Sequence, residues 1–222
     1  MLSSLTPRFR NAAFAVWRRN VLVWRKLLGP SLLINFGEPF LYLFGLGYGL
    51  GLFIGDMMHM PYLTFLASGI LASSAMNIAS FEAMFSVYTR MIPQRTYEAI
   101  LATPLEVSDI LAGEMLWCAT KAVINGGAIL SVATLLGAVQ IWTALWVLPI
   151  QFVVGLCFAG PALIMTALAR GYDFFNYYAT LVITPMFVLS GVFYPVSSLP
   201  PLLQGIVQFL PLTHAVDLIR PL

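Results

Sequence analysis

Three ionisable residues lie inside otherwise apolar segments of this 222-residue chain: Glu38, Glu82 and Lys121. An ionised side chain at membrane depth costs several kcal/mol unless it is paired or hydrated. A Glu–Lys pair between two segments would meet that requirement as a purely structural contact. The same residues could instead line a polar route through the protein, and the sequence leaves these two interpretations evenly balanced. Weaker uncharged candidates in apolar segments are Asn35, Asn77, Asn125 and Gln151.

No arrangement of residues predicts catalysis, nucleotide binding or metal binding. His59 and His214 lie far from each other, without further ligands at metal-binding spacing. A phosphate-binding loop needs the pattern G-x-x-x-x-G-K-[ST], and neither Lys26 nor Lys121 lies in one. The glycines that alternate over residues 45–51 sit in an apolar segment, which favours close helix packing over a dinucleotide loop. The sequence therefore predicts no catalytic residue, no metal site and no cofactor bound by this chain.

The composition is that of an integral membrane protein. Hydrophobic residues make up 60% of the chain and charged residues 9%, whereas soluble domains carry roughly 25% charged residues. Six bases and no acid precede the first apolar segment, which predicts a cytoplasmic N-terminus. Residues 8–26 place aromatic and aliphatic side chains at helical spacing among these bases. They predict an amphipathic helix in contact with membrane lipids rather than a nucleic-acid-binding arm.

Five apolar segments are long enough to cross a bilayer, which takes about 20 helical residues. The predicted spans are residues 31–54, 61–86, 115–136, 143–168 and 174–194. Prolines divide residues 195–222 into runs too short to cross, so we expect a short helix or a re-entrant pair at the outer surface there. The sequence thus predicts one all-α membrane domain over residues 1–222.

A polar segment, residues 90–114, separates the second and third predicted spans. It holds two of the eleven Lys/Arg residues and four of the nine Asp/Glu residues. Pro93 suits the first turn of a short helix. Thr103 and Glu106 have the spacing of a capping box, with Pro104 at the first position of a second helix. The segment is either a solvated loop with two helical turns or a surface on which a soluble partner docks.

Three blocks of the sequence resemble the ABC-2 family of ATP-driven exporter permeases. Residues 97–104 (YEAILATP) and 109–114 (DILAGE) resemble the coupling-helix region of that family. Residues 190–195 (SGVFYP) and 211–214 (PLTH) resemble its signature at the end of the fifth span. Residues 38–47 (EPFLYLFGLG) resemble the first span of the nodulation-type branch, which is called NodJ-like and comprises lipo-oligosaccharide export permeases. The similarity extends over essentially the whole chain.

This resemblance implies a type V exporter transmembrane domain with six spans per protomer, of which this sequence shows five and lacks the sixth. It also implies a homodimer of permeases and a separate NodI-like ABC ATPase, which binds ATP and Mg²⁺. The residues that match the ATPase-coupling region are Arg95, Thr96, Tyr97, Glu98, Ile100, Leu101, Thr103 and Pro104. The candidates for the substrate path are Glu38, Tyr42, Glu82, Lys121, Phe193 and Tyr194, although ordinary packing also accounts for each aromatic residue.

The expected function is that of a permease subunit in the bacterial inner membrane, exporting a lipo-oligosaccharide or another amphipathic glycan or lipid. A drug or antibiotic efflux permease is the alternative within the same family. An ion-coupled secondary transporter would use Glu38, Glu82 and Lys121 instead, but the paired repeats common in such proteins are not evident. A lipid-modifying enzyme would need a polar catalytic cluster at the interface, and the sequence offers none.

Overall fold

The structure is a computed structural model that describes residues 11–29, 36–37, 40–139 and 145–221. Within these ranges the chain is a bundle of helices with one minimal β hairpin. The predicted all-α fold class is therefore confirmed. Glu38, one of the substrate-path candidates, lies outside the described residues, as do Asn35 and parts of the first and fourth predicted spans.

The elements follow one another in a simple order. The helices are α1 (Asn11–Arg25), α2 (Phe40–Ile54), α3 (Tyr62–Met91), α4 (Thr96–Leu101), α5 (Val107–Leu135), α6 (Val147–Leu168), α7 (residues 173–189), α8 (Pro201–Val207) and α9 (Pro211–Ile219). The hairpin pairs β1 (Asp56–Met57) with β2 (Met60–Pro61), and a 3₁₀ turn covers Val196–Ser198. π-helical turns interrupt α2 at Leu43–Tyr48, α3 at Glu82–Ser86 and α7 at Ala179–Ile183.

Three of the described helices are long and apolar enough to cross a bilayer: α3 with 30 residues, α5 with 29 and α6 with 22. Helices α8 and α9 meet at 87° and together would make a fourth span, or else a re-entrant pair. Helix α2 is apolar but shorter. The predicted number of five spans, and the outer position of α8 and α9, stay predictions.

Helices α3, α5 and α6 form the core of the bundle. Side chains of α6 fix its register against α3, because Gln151 Nε2 donates to the Leu71 carbonyl at 2.8 Å and Thr166 Oγ1 donates to the Ala83 carbonyl at 2.8 Å. These two contacts show that α3 and α6 run parallel. Directional bonds of this kind matter in a membrane, where apolar contact between helices gives little preference for one register.

The bundle has two distinct ends. The polar-loop end carries residues 92–106, which connect α3 to α5, and the hairpin end carries β1 and β2. A helix of 30 residues rises about 45 Å, so α3 alone separates these ends by more than the thickness of the hydrocarbon core.

Helix α5 begins at Val107, eight residues before the predicted third span at 115. Its capping box joins Glu106 and Asp109: the Glu106 amide donates to Asp109 Oδ2 at 3.1 Å, and the Glu106 side chain accepts from the Asp109 amide. The predicted box between Thr103 and Glu106 is wrong, because the Thr103 hydroxyl donates to the Ile100 carbonyl at 2.6 Å. A carboxylate at the first turn is stabilised by the helix dipole, which favours the observed box.

The predicted helix start at Pro93 is also wrong. The Gln94 amide donates to the Thr89 carbonyl at 3.0 Å, which closes the end of α3 and leaves Pro93 inside the turn. Arg95 then adopts a left-handed conformation with φ of 48° immediately before α4 begins at Thr96. Proline is common just after a helix end, so its position agrees with a stop signal for α3 rather than a start signal for α4.

Helix α1 packs along α5 at the polar-loop end. Ala13 and Val16 are fully or almost fully buried, and Trp17 Nε1 donates to Thr120 Oγ1 at 2.9 Å. The two helices approach closely at Gly113, where a Cβ atom would lie 2.6 Å from the Val16 Cβ. Phe14 is 60% exposed. The predicted helix therefore exists over Asn11–Arg25, and its contact with membrane lipids stays a prediction.

We expect Gly113→Ala to weaken the docking of α1, because the added methyl group would also lie 2.7 Å from the Ala13 carbonyl oxygen. Overpacking of this kind costs about 1–3 kcal/mol. The matched control is Gly127→Ala on the same helix, where a Cβ meets nothing within 4 Å and alanine is the better helix former. Thermal unfolding of the purified protein in detergent measures both. Equal unfolding temperatures for the two variants would contradict the close contact.

Candidate functional site

Charged and polar side chains from four helices converge at the polar-loop end. We call this group the ionic cluster; its members are Asn20 on α1, Glu82 and Arg90 on α3, Tyr97 on α4, and Glu114, Trp117 and Lys121 on α5. Helical spacing produces much of it, because the three members on α5 follow one another at i, i+3 and i+7 and so share a face. The cluster joins the polar segment to the core of the bundle.

Glu114 is the most buried member of the ionic cluster, with 0% of its surface exposed. Its Oε2 accepts from Arg90 Nη2 at 2.7 Å and from Asn20 Nδ2 at 3.0 Å, and its Oε1 accepts from the Tyr97 hydroxyl at 2.9 Å. A buried carboxylate is stable only when its charge is paired and its oxygens are hydrogen-bonded. The three donors come from three different helices, so Glu114 holds α1, α3 and α4 against α5.

Glu82 is the second carboxylate of the cluster. Lys121 Nζ lies 3.3 Å from its Oε2, while Arg90 Nη2 lies 3.4 Å from its Oε1. Trp117 Nε1 donates to the same Oε1 at 2.8 Å. The ion pair that the sequence offers between Glu82 and Lys121 is thus present in the structure. It lies in the ionic cluster, and whether these two residues also line a substrate path stays a prediction.

Tyr97 is the coupling candidate that points inward. Burial and the adjacent Glu114 carboxylate raise the pKa of Tyr97, so the phenol stays protonated and acts as a donor. The neighbouring side chains of α4 face outward: Glu98 is 71% exposed and lies 4.0 Å from Arg95 Nε, and Leu101 is also exposed. One short helix therefore joins an accessible surface to a buried charge.

The remaining coupling candidates stay near that surface. Thr103 and Pro104 are exposed, and Thr96 and Ile100 are half-buried. Nothing in the bundle contradicts a docking role for these residues, which stays a prediction.

A second site is a cavity of about 370 Å³ between α2, α3, α5 and α7. We call it the uncharged cavity, because no ionisable group other than the Tyr42 phenol is among its described lining residues. Asn77 and Asn125 contribute amides that make no side-chain hydrogen bond to another described residue. In contrast, the lining hydroxyls of Ser73 and Ser74 donate to carbonyls of their own helix, at 3.1 and 2.8 Å. Among the described residues, the two amides and the Tyr42 hydroxyl are therefore the lining groups free to bind a ligand.

Of the substrate-path candidates that the structure describes, Tyr42 alone lines the uncharged cavity. Phe193 reaches it indirectly, because its ring packs at 5.0 Å and nearly perpendicular to that of Phe187, a lining residue. The Tyr194 hydroxyl donates to the Val188 carbonyl at 2.8 Å and closes the end of α7. The structure thus separates candidates that the sequence grouped together: Glu82 and Lys121 lie in the ionic cluster.

The hairpin end is held together by Arg220, just after α9. Its Nη2 donates to the Gly191 carbonyl at 2.7 Å and its Nε to Ser68 Oγ at 3.3 Å. The guanidinium also lies 3.8 Å from the centre of the Phe65 ring. One side chain therefore ties the segment that follows α7 to the first turns of α3.

Sequence reasoning missed Arg90 as a partner of Glu82, and it missed Glu114 as the second carboxylate that Arg90 contacts. Both residues are at the ends of the polar segment, where the sequence predicts solvated positions. Helical continuity is the signal that could have found Arg90. If α3 continues into the polar segment, Glu82 and Arg90 lie about two turns apart on the same side of that helix. Asn77 and Asn125, weaker candidates in the sequence, become the central polar residues of the uncharged cavity.

Apolar helices, a buried ionic cluster and a polar cavity between helices define a multi-pass membrane protein. Comparison with known families matches residues 11–222 to "ABC-2 type transporter". The chain belongs to this family, whose members are transport permeases that work with a cytoplasmic ATPase.

Curated relatives support the same assignment. The chain is 49% identical to nodulation protein J of Rhizobium leguminosarum bv. trifolii over 208 residues, which cover 94% of this chain and 79% of that protein. It is 47% identical to nodulation protein J of Rhizobium meliloti (strain 1021), over 94% of this chain and 79% of that protein. It is 23% identical to the inner membrane transport permease YadH of Escherichia coli (strain K12), over 91% of this chain and 79% of that protein. No solved structure gives a significant match.

We expect Tyr97→Phe to destabilise the fold, because it removes a hydrogen bond to the buried Glu114 carboxylate. A hydrogen bond to a charged group contributes about 1.5–3 kcal/mol. Tyr177→Phe is the matched control, since Tyr177 is 66% exposed. Thermal unfolding in detergent should show a lower unfolding temperature for the first variant only. An unchanged temperature for Tyr97→Phe would mean that its hydroxyl does not serve the buried charge.

Proposed function

We propose that this protein is the permease subunit of an ATP-driven exporter that moves a lipo-oligosaccharide or a similar amphipathic glycan across the bacterial inner membrane. The observation that carries the proposal is the hydrogen bond from Tyr97 to Glu114. It links an exposed helix of the polar segment to a buried charge at the polar-loop end of the bundle. The family assignment and the similarity to nodulation protein J support the transport role and suggest the substrate class.

The proposed coupling runs from the surface of α4 into the core. An ATPase that pushes on Glu98 and Leu101 displaces α4, and Tyr97 transmits the displacement to Glu114. Arg90 bridges Glu114 and Glu82 at 2.7 and 3.4 Å, so α3 and α5 respond together. Charged residues with more than one possible partner suit such a junction, because they can exchange partners without leaving a buried charge unpaired.

The proposed substrate site is the uncharged cavity. Its free amides, Asn77 and Asn125, suit the hydroxyl and acetamide groups of a neutral glycan, and aromatic rings such as Phe81 suit the apolar faces of sugar rings. Aliphatic lining residues such as Ile70 and Ile129 offer contact to an acyl chain. We propose further that Tyr42, Phe193 and Tyr194 border the route toward the hairpin end.

The proposal includes the rest of the assembly. Two copies of the permease form a dimer, a NodI-like ATPase docks on each copy, and ATP and Mg²⁺ bind to that ATPase rather than to this chain. The N-terminus and the polar-loop end face the cytoplasm, which agrees with the six bases that precede the first apolar segment.

We expect Glu98→Arg to reduce ATP-driven export and the recovery of the ATPase in affinity purification from the native host. Glu98 is 71% exposed, so its reversal changes the docking surface without disturbing the core. The matched control is Asp56→Arg, an exposed charge reversal at the opposite end of α3. Normal export and normal ATPase recovery by Glu98→Arg would contradict a docking role for α4. Failure to recover any ATPase with the unmodified protein, even after crosslinking, would overturn the proposed function.

We expect Asn77→Leu to lower the export rate of a lipo-oligosaccharide about fivefold to thirtyfold, because one or two hydrogen bonds of about 1 kcal/mol each are lost. Asn176→Leu is the control: Asn176 is exposed on α7 and does not line the cavity. Transport into inverted vesicles with added ATP measures both variants. A loss for glycan but not for an apolar drug supports a glycan site, whereas equal losses favour a drug efflux permease.

A further inference from the structure

A second cavity, of about 320 Å³, lies between α1 and the polar-loop ends of α3 and α5. Its volume is several times the roughly 30 Å³ that a water molecule occupies in the liquid. Arg19 and Trp24 line it from α1, Arg90 from α3, and Trp117 and Lys121 from α5. It lies beside the ionic cluster but is separate from the uncharged cavity.

The charges around this cavity do not cancel. Arg90 is matched by Glu114 and Lys121 by Glu82, through the ion pairs of the ionic cluster. Arg19 makes no ion pair with any other described residue, and its Nη1 donates only to Asn20 Oδ1, at 3.1 Å. Among the described residues, the cavity therefore has one positive charge in excess, which attracts an anion.

Donors remain available for that anion. The Lys121 ammonium has three N–H groups and uses one of them to contact Glu82, while 24% of its side-chain surface stays exposed. The Arg19 guanidinium keeps Nε and Nη2 without an acceptor among the described residues. A guanidinium fork beside an ammonium group is a combination that binds phosphate oxygens well.

The opposite wall favours a phosphate that carries a lipid tail. Val23 and Leu27 line the cavity and are 48% and 58% exposed, so they offer an apolar path out of it. Trp24 and Trp117 pack with their ring centroids 6.2 Å apart, and tryptophan is enriched where a chain meets lipid headgroups. A soluble anion would bind the cations but make no contact with the exposed Val23 and Leu27 side chains.

We propose that this cavity binds the phosphate headgroup of an anionic membrane lipid, which then bridges α1 to α5 through Arg19 and Lys121. The bound lipid strengthens the attachment of α1 to the bundle beside the ionic cluster. This inference does not depend on what the permease transports or on which ATPase drives it, because binding is measured without transport.

The test uses the full chain in lipid nanodiscs of phosphatidylcholine, with or without phosphatidylglycerol. Phosphatidylglycerol should raise the unfolding temperature of the unmodified protein by at least about 4 °C, as expected for a ligand well above its dissociation constant. Native mass spectrometry should show phosphatidylglycerol retained on the protein. Arg19→Gln should lose most of the temperature rise and of the retained lipid, and Arg19→Lys should keep much of both.

The matched control is Arg18→Gln, since Arg18 is exposed on the same helix and does not line the cavity. Equal losses for Arg18→Gln and Arg19→Gln would overturn the site, because they would show a general attraction of basic residues to an anionic surface. No effect of phosphatidylglycerol on the unmodified protein would overturn it as well. A third arm adds inorganic phosphate or glycerol 3-phosphate to phosphatidylcholine discs. Stabilisation by these soluble anions equal to that by phosphatidylglycerol would overturn the lipid as the ligand.

Discussion

The buried negative charge of Glu114 is the constraint on which the polar-loop end of this protein depends. A carboxylate with 0% exposure requires a cation and several donors around it, and each must come from a neighbouring helix. Arg90, Asn20 and Tyr97 meet that requirement, and in doing so they fix where α3, α1 and α4 lie. Removing Arg90, the cation of this buried ion pair, would cost about 3–5 kcal/mol. The close approach of α1 at Gly113, one residue away, follows from the same geometry.

Polar groups are distributed along the bundle according to how much their desolvation costs. Four formal charges, those of Glu82, Arg90, Glu114 and Lys121, are gathered at the polar-loop end, where they neutralise one another in pairs. The uncharged cavity uses amides and hydroxyls, whose burial is less costly than that of ions. At the hairpin end, Arg220 bonds to a backbone carbonyl and lies over an aromatic ring. The same chain thus separates a charged cluster from an uncharged polar cavity.

Sequence reasoning predicted the features that composition and local pattern determine. Three of the apolar segments and the helix at the N-terminus are found in the structure, and Glu82 and Lys121 form a Glu–Lys pair of the kind that the sequence left open. The family was also predicted correctly, because its motifs are short blocks of adjacent residues. The wrong predictions arise where two local sequence patterns could each form and differ little in stability. Two capping boxes overlap at Glu106, and only the contacts of the folded helix decide which one forms.

Partners that are far apart in sequence could not be predicted in the same way. Nothing near Tyr97 indicates that its hydroxyl donates to a carboxylate 17 residues later rather than to a docking partner. The residue type of Asn20 likewise does not place it beside Glu114, which is 94 residues away. The cavities are a property of how three or more helices pack, so their lining residues follow from the fold alone. Periodicity also fails across the π-helical turns, because a single helical repeat no longer describes both halves of α3.

Because of those π-helical turns, the fold depends on the number of residues in a helix as well as on their chemistry. Each such turn holds one residue more than an α-helical turn, which rotates the following half of the helix by about 100° relative to an uninterrupted α-helix. In α3 the turn at Glu82–Ser86 separates the half that lines the uncharged cavity from the half that carries Arg90. A chain shortened by one residue there would keep its composition and hydropathy. It would close that turn as an ordinary α-helical turn, so Arg90 would still face Glu114, whereas α-helical geometry over the present number of residues would aim Arg90 away from it.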